Sequence, residues 1–207
     1  NTKALMVEQK DPKTGEVTRV KSPVANPWMR ADEVNMLKAI ATDKDAIQNN
    51  RLIAVPQCAY STVIQLRSWL PDDIGGVAWF CMDNPGQSPR IPIFCGTTDL
   101  PVSFKICGNH RYRDDAALWH YRQANKLSTV RWGVTRKAIE KTYDHFITQG
   151  QTDLPFVEQQ YKALVAKDGV QAARNYLTDY TADFAGATIL RWDEMTRQFW
   201  IDNRFGF

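Results

Sequence analysis

The chain has no apolar run of 18 or more residues in its 207, so nothing in it reads as a membrane-spanning helix. Its first residues, NTKALMVEQK, lack the apolar stretch of a secretion signal. Cysteine is scarce. Cys58, Cys81, Cys95 and Cys107 are too few and too scattered for a disulfide framework, and no C-x-x-C pair occurs. Cys95 and Cys107 lie across a loop, so a single bridge between them is compatible with an oxidising compartment. Zinc held by Cys95, Cys107 and His110 lacks a fourth ligand and fits no common spacing. Only three histidines are present, His110, His120 and His145. No G-x-S-x-G elbow accompanies them, and there is no G-x-x-x-x-G-K-[ST] or G-x-G-x-x-G phosphate loop. Serine-triad and nucleotide chemistry therefore have no support. Repeats and low-complexity tracts are also absent.

What is present is an ordinary globular composition, with 43% hydrophobic and 24% charged residues and a net charge of +3. That length supports one sizeable core or two small ones. The charge is locally basic over Arg111 to Lys141, where the bland reading is a solvated helix face. A polyanion site there would bind with strong salt dependence.

Along the chain, residues 4–9 and 16–21 bracket the turn DPKTG and predict a hairpin. Val34, Leu37 and Ile40 predict a helix over Ala31 to Ala41, and Thr42 to Asn50 reads as a loop. Arg51 to Arg67 is strand-like, with a break at Pro56. Tyr60, Thr62, Ile64 and Leu66 share one face of it. Pro71-Asp72-Asp73 and Gly75-Gly76 form a turn. Val77 to Met82 follows as an apolar strand expected to be buried on both faces. Asn84-Pro85-Gly86 then turns the chain into a strand over Arg90 to Cys95. Beyond Gly108 the pattern becomes helical. A long helix is predicted from Ala117 to Ala138 and a second from Asp153, with Pro155 in its first turn. A third runs from Val170 to Phe184, and either continues past Gly186 to Phe199 or breaks there. Strands first and helices afterwards make the class α+β, with a mostly antiparallel sheet. Three stretches follow: 1–50, a hairpin and helix; 51–108, the sheet; and 109–207, the helices. They belong to one structural domain.

Residues able to do chemistry have structural readings beside them. Asp72-Asp73 reads as turn chemistry, and Asp114-Asp115 as a helix N-cap and first-turn acid. His120 and His145 read as surface or capping residues, and Cys81 as a small buried hydrophobe. Cys58 has no thiolate-stabilising neighbour in sequence. Taken alone, the residues show no catalytic constellation.

Three blocks change that picture. They are Gln57 to Ser61 running into QLRSWLPDDIGGVAWF, then DNPGQSPRIPIFCGTTDLP, then RYRDDAALWHYRQANKLSTVRWG, echoed by LTDYTADFAGATILRW. Together, over about 50 to 200, they closely resemble the C-terminal half of the C69 family of dipeptidases, which are N-terminal-nucleophile hydrolases. The resemblance implies an αββα sandwich and hydrolysis of dipeptides without metal or other cofactor. A mature N-terminal cysteine would attack, and its own α-amine, with an ordinary pKa of about 7.7–8.0, would take the proton. Residue 1 here is asparagine, and no position matches that nucleophile. The chain is thus expected to lack catalytic residues, to be inactive alone, and to pair with an N-terminal half of the same protein. It would contribute sheet, helical layer and cleft wall, the wall drawn from Gln57, Cys58, Tyr60 and Ser61. A dipeptide is the expected small-molecule partner. Homo-oligomers are compatible with the reading, nucleic acid and membrane are not expected, and a periplasmic or secreted compartment is favoured over a cytoplasmic one. The rival reading is a non-catalytic peptide-binding or interaction module that keeps the fold.

Overall fold

The computed structural model describes residues 6–22, 27–42 and 52–204. Residues 43–50 of the loop expected at 42–50, and the first residue, therefore lie outside the described residues. The N-terminal hairpin forms as predicted. Strands β1 (Met6–Lys10) and β2 (Val17–Lys21) pair antiparallel. Asp11 accepts hydrogen bonds from the Lys13 and Thr14 amides in the turn between them. Helix α1 (Ala31–Ile40) is also where the spacing puts it, with Glu33 reaching back to the Arg30 amide at 2.8 Å.

The central sheet has the order β3-β4-β5, all antiparallel: β3 (Tyr60–Leu66), β4 (Gly76–Met82) and β5 (Ile91–Phe94). Strand structure starts only at Tyr60. The stretch before it is irregular around Pro56, which has no amide hydrogen to give to a ladder. Strand β4 corrects the expectation of burial on both faces. Val77, Trp79 and Cys81 are buried, whereas Ala78, Phe80 and Met82 are half-buried. Short helices α2 (Asp72–Gly75) and α3 (Val102–Lys105) flank the sheet.

The helical half differs from the periodicity in two places. The helix predicted from 117 to 138 divides into α4 (Ala117–Val130) and α5 (Trp132–Asp168) at Arg131, whose φ and ψ are −134° and 54°. The break lets Trp132 pack edge-on against Trp28 at 4.9 Å. The Thr135 hydroxyl then takes up the Ser128 carbonyl at 2.7 Å. The second difference is Pro155, which lies inside α5 and not at the start of a new helix. Pro155 and Gln151, four residues earlier, both face solvent, so water can satisfy the carbonyl that the proline leaves unbonded. Gly169, at φ +88°, then reverses the chain into α6 (Val170–Asp202), which continues unbroken through Gly186.

Two apolar clusters hold sheet and helices together. One gathers Tyr121, Trp132, Phe146, Phe184, Trp192 and Phe199 among α4, α5 and α6. The other packs Ile74, Val77, Trp79 and Phe94 against Leu154, Val157, Tyr161 and Leu177. Close approach matters at Gly150, where a Cβ would come within 2.9 Å of the Trp79 ring.

Asp73 does more than shape a turn. Arg174 of α6 grips its carboxylate with two hydrogen bonds, at 2.8 and 2.9 Å, and the Tyr161 hydroxyl donates a third at 2.7 Å. The Arg174 hydrogen bonds, aided by Tyr161, hold the Asp73 carboxyl below its ordinary value of 3.8. A depressed carboxyl pKa adds stability above the unfolded value and loses it as pH falls through the folded value. The parent chain is expected to be more stable than Asp73→Asn at pH 7. That gap should begin to narrow as pH falls through about 3.8 and be lost only below the depressed folded value. Urea titrations of both proteins at pH 7 and pH 3 check this, and a gap unchanged at pH 3 would contradict it.

Candidate functional site

The end of β4 is where the sheet becomes polar and charged. Asp83 is almost fully buried and adopts φ +61°, a left-handed conformation uncommon outside glycine. Its amide donates to the Ala59 carbonyl at 2.8 Å. Arg122 of α4 donates through Nε to Asp83 Oδ1 at 2.7 Å, and Asn125 donates through Nδ2 to Oδ2 at 2.9 Å. Asn125 also donates to Ser88 Oγ at 2.7 Å and accepts from Trp192 Nε1 at 3.1 Å. Beside it, Gln87 donates to the Asn125 carbonyl at 3.0 Å and to Ser128 Oγ at 2.8 Å, and accepts from Asn84. A buried charge this fully partnered is a rigid bracket joining the β4–β5 turn to α4 and α6. Sequence reading passed over Asp83, Arg122, Asn125 and Ser88. The one available signal was an acidic residue ending an apolar strand ahead of Asn84-Pro85-Gly86; its partners lie 39 and 42 positions away.

Of the four residues expected to form a cleft wall, Cys58 touches this bracket and the other three do not. Cys58 is half-buried, and its carbonyl accepts from Arg122 Nη2 at 3.3 Å. Ser61 accepts from Arg90 Nη1 at 3.3 Å. Tyr60 is exposed and stacks on Phe80 at 5.7 Å. Adjacent strand residues point to opposite faces, so Tyr60 and Ser61 do not converge on one point. Gln57 faces a different space, a groove of about 590 Å³ between α1 and α4 that is also lined by Trp28, Met36, Leu37 and Lys126. Lys126 reaches the Pro56 carbonyl at 3.4 Å. Partial loss of water there pulls its ammonium below the usual lysine value, against the opposing attraction of Asp83.

All four cysteines are free thiols, which corrects the possible Cys95–Cys107 bridge. Burial pushes the Cys81 thiol up to about 12, so it stays protonated and unreactive at neutral pH. Among the described residues, no three His, Cys, Asp or Glu side chains cluster closely enough to hold a metal. Asp115 does not cap α4. It pairs with Arg113 at 2.6 Å, and the N-cap position is Ala116. Nor is His120 a capping residue: its Nδ1 donates to Asp193 of α6 at 2.8 Å. No described helix is long and apolar enough to cross a membrane.

A family model for peptidase family C69 matches residues 32–145. The chain belongs to peptidase family C69. No curated protein matches it. The family match makes peptide hydrolysis the chemistry to which this fold belongs. The C69 region starts in α1 and ends within α5. It takes in most of the groove beside Gln57, the whole β3-β4-β5 sheet and the Asp83–Arg122–Asn125 bracket. Asp193 and the echo at Leu177 to Trp192 lie beyond it.

Proposed function

We propose that this chain is the C-terminal part of a C69 cysteine dipeptidase of the N-terminal-nucleophile type. Its catalytic cysteine is contributed by an upstream half of the same protein. The observation that carries this reading is the edge of β3. In the β3–β4 ladder, Asp83 N–H bonds to the Ala59 carbonyl and Arg67 N–H to the Gly75 carbonyl. By alternation, the amides and carbonyls of Tyr60, Thr62, Ile64 and Leu66 point away from β4. No described strand pairs with them. The side chains are also uncovered, Tyr60 at 64%, Ile64 at 62% and Leu66 at 76% exposed. The other edge is treated differently, since Thr181 of α6 donates to the Pro92 carbonyl of β5 at 3.0 Å. A long, uncharged, apolar open edge is a liability that proteins cover. Strands of an upstream half would extend the sheet there and complete an αββα sandwich.

In this arrangement the N-terminal thiolate attacks the dipeptide carbonyl. Its α-amine accepts the proton and passes it to the leaving amine, and water then releases the acyl group. This chain's part is positional. The Arg122–Asp83 pair holds the Cys58 carbonyl and the entry into β3, so that Cys58 and Ser61 border the cleft, with Gln57 and Tyr60 at its margins.

The test compares the protein as its natural host makes it with the isolated 207 residues, by N-terminal sequencing and by release of amino acids from dipeptides. A longer or two-part protein with an N-terminal cysteine, active until alkylated, is expected beside an inactive isolated chain. A natural protein beginning at Asn1 with no partner would point to the non-catalytic module instead. Equal hydrolysis by the isolated chain would also sink the proposal.

A further inference from the structure

A second concavity, of about 230 Å³, lies where the segment preceding α4 folds back over α4 and α6. The Trp119 indole N–H pins that segment by donating to the carbonyls of Gly108 at 2.8 Å and Arg111 at 3.0 Å. Tyr112 sets its ring edge-on to Trp119 at 5.1 Å, and its hydroxyl accepts from Gln123 Nε2 at 3.0 Å. These bonds make a fixed aromatic wall. Across from it, His120 is oriented by Asp193, which takes Nδ1 with both carboxylate oxygens, at 2.8 and 3.0 Å. That leaves Nε2 as the polar atom the ring can offer a ligand.

Two more side chains line the same space, Asp114 and Arg197. Neither makes a hydrogen bond or an ion pair among the described residues. Other groups nearby are paired, Asp115 with Arg113, Asp193 with His120, and Arg122 with Asp83, and the Arg113 charge also attracts Asp114. The pocket thus offers a cation and an anion, neither in a hydrogen bond or ion pair among the described residues, and an aromatic surface. A ligand carrying only a carboxylate would meet the Asp114 and Asp193 charges, and one carrying only an ammonium would meet Arg197. A ligand with both groups satisfies both. Its volume is below the roughly 300 Å³ at which pockets begin to hold drug-sized molecules.

We infer that this pocket binds a free α-amino acid. Arg197 takes the carboxylate, Asp114 takes the ammonium, and an apolar side chain rests on Trp119 and Tyr112. Free amino acids are what a peptidase releases, so the ligand class is a product of the chemistry of this family. Trp119 also connects the pocket to the bracket described above, because the Arg122 guanidinium lies 5.6 Å from its ring centre.

The test uses the 207-residue chain and L-leucine, following the tryptophan indole N–H resonances in a titration. Saturable binding is expected. It should weaken about tenfold or more in Arg197→Gln and in Asp114→Asn, the loss typical of a charge-assisted hydrogen bond. L-Leucinamide should bind the parent chain weakly and lose little more in Arg197→Gln, and N-acetyl-L-leucine should behave likewise toward Asp114→Asn. No saturable shift, or binding of L-leucinamide as tight as that of L-leucine, would overturn the assignment. Leucyl-leucine binding as tightly as leucine would overturn the assignment to a single amino acid. Binding requires no hydrolysis. A chain that binds leucine while the natural protein cleaves no dipeptide would overturn only the dipeptidase proposal.

Discussion

Asp83→Ala is expected to lower the unfolding free energy by about 3–5 kcal/mol, the usual cost of removing one partner from a buried ion pair. Arg122 would then keep its guanidinium in a site where only 14% of the side chain is exposed, with the Cys58 carbonyl as its remaining hydrogen-bond partner in the bracket. Asn125 would lose one of its two acceptors. Alanine adds a further cost, because residue 83 sits at φ +61°, where a Cβ is crowded and only Gly, Asn and Asp are readily accommodated. Three companion variants separate these causes. Asp83→Gly relieves the backbone and keeps the electrostatic loss. Asp83→Asn keeps shape and conformation and should cost about 1.5–3 kcal/mol, the range for hydrogen bonds to charged groups. Combining Asp83→Asn with Arg122→Met leaves no unpaired charge and should recover part of the deficit. Urea unfolding followed by circular dichroism measures all four. An Asp83→Ala protein within about 0.5 kcal/mol of its parent, the range of an ordinary surface change, would mean the bracket carries no stability.

The second large effect is expected at Trp192. This side chain is fully buried, edge-on to Tyr121 at 5.7 Å and tilted against Phe146 at 6.2 Å. Trp192→Ala should cost about 3–5 kcal/mol through the lost contacts and the cavity left behind. The indole N–H also donates to Asn125 Oδ1, so truncation removes a partner from the Asp83 network as well. Against a typical total of about 5–15 kcal/mol, the variant sits near the limit of folding. Trp192→Phe is the tractable version. It keeps most of the apolar volume, loses the hydrogen bond, and should cost about 1–3 kcal/mol. Leu190 is two residues earlier on the same helix but exposed. Leu190→Ala should stay within about 0.5 kcal/mol. Comparable losses at Leu190 and Trp192, measured by the same unfolding titration, would mean that α6 is not anchored through this face.

Local patterns carried the elements whose cause is local. The hairpin around Asp11 and Gly15, helix α1 with its first-turn acids, and the turn Asn84-Pro85-Gly86 were legible because their turn and helix signals lie within a few residues. The helical half was legible as helix but not as three helices of the observed lengths. Continuity at Pro155 depends on its facing water, and the break at Arg131 depends on Trp132 meeting Trp28, a residue 104 positions earlier. The alternation in β3 marked Tyr60, Thr62, Ile64 and Leu66 as one face. It could not tell which face the helices cover, because alternation has the same period on either side of a sheet.

The candidate site divides in the same way. Gln57, Cys58, Tyr60 and Ser61 were chosen from their place before a strand, and the structure sets Cys58 and Ser61 beside Arg122 and Arg90. The charged centre itself was hidden, because Asp83, Arg122 and Asn125 each look unremarkable among their sequence neighbours. The sequence by itself determined the α+β order, the family and the uncharged character of β3. Only the tertiary structure decided which ionisable groups are paired, since Asp73 with Arg174 and His120 with Asp193 are joined across 101 and 73 residues. The physical reason is that a charge acts over a few ångströms of space, and the packing of α6 against the sheet and α4 sets those distances.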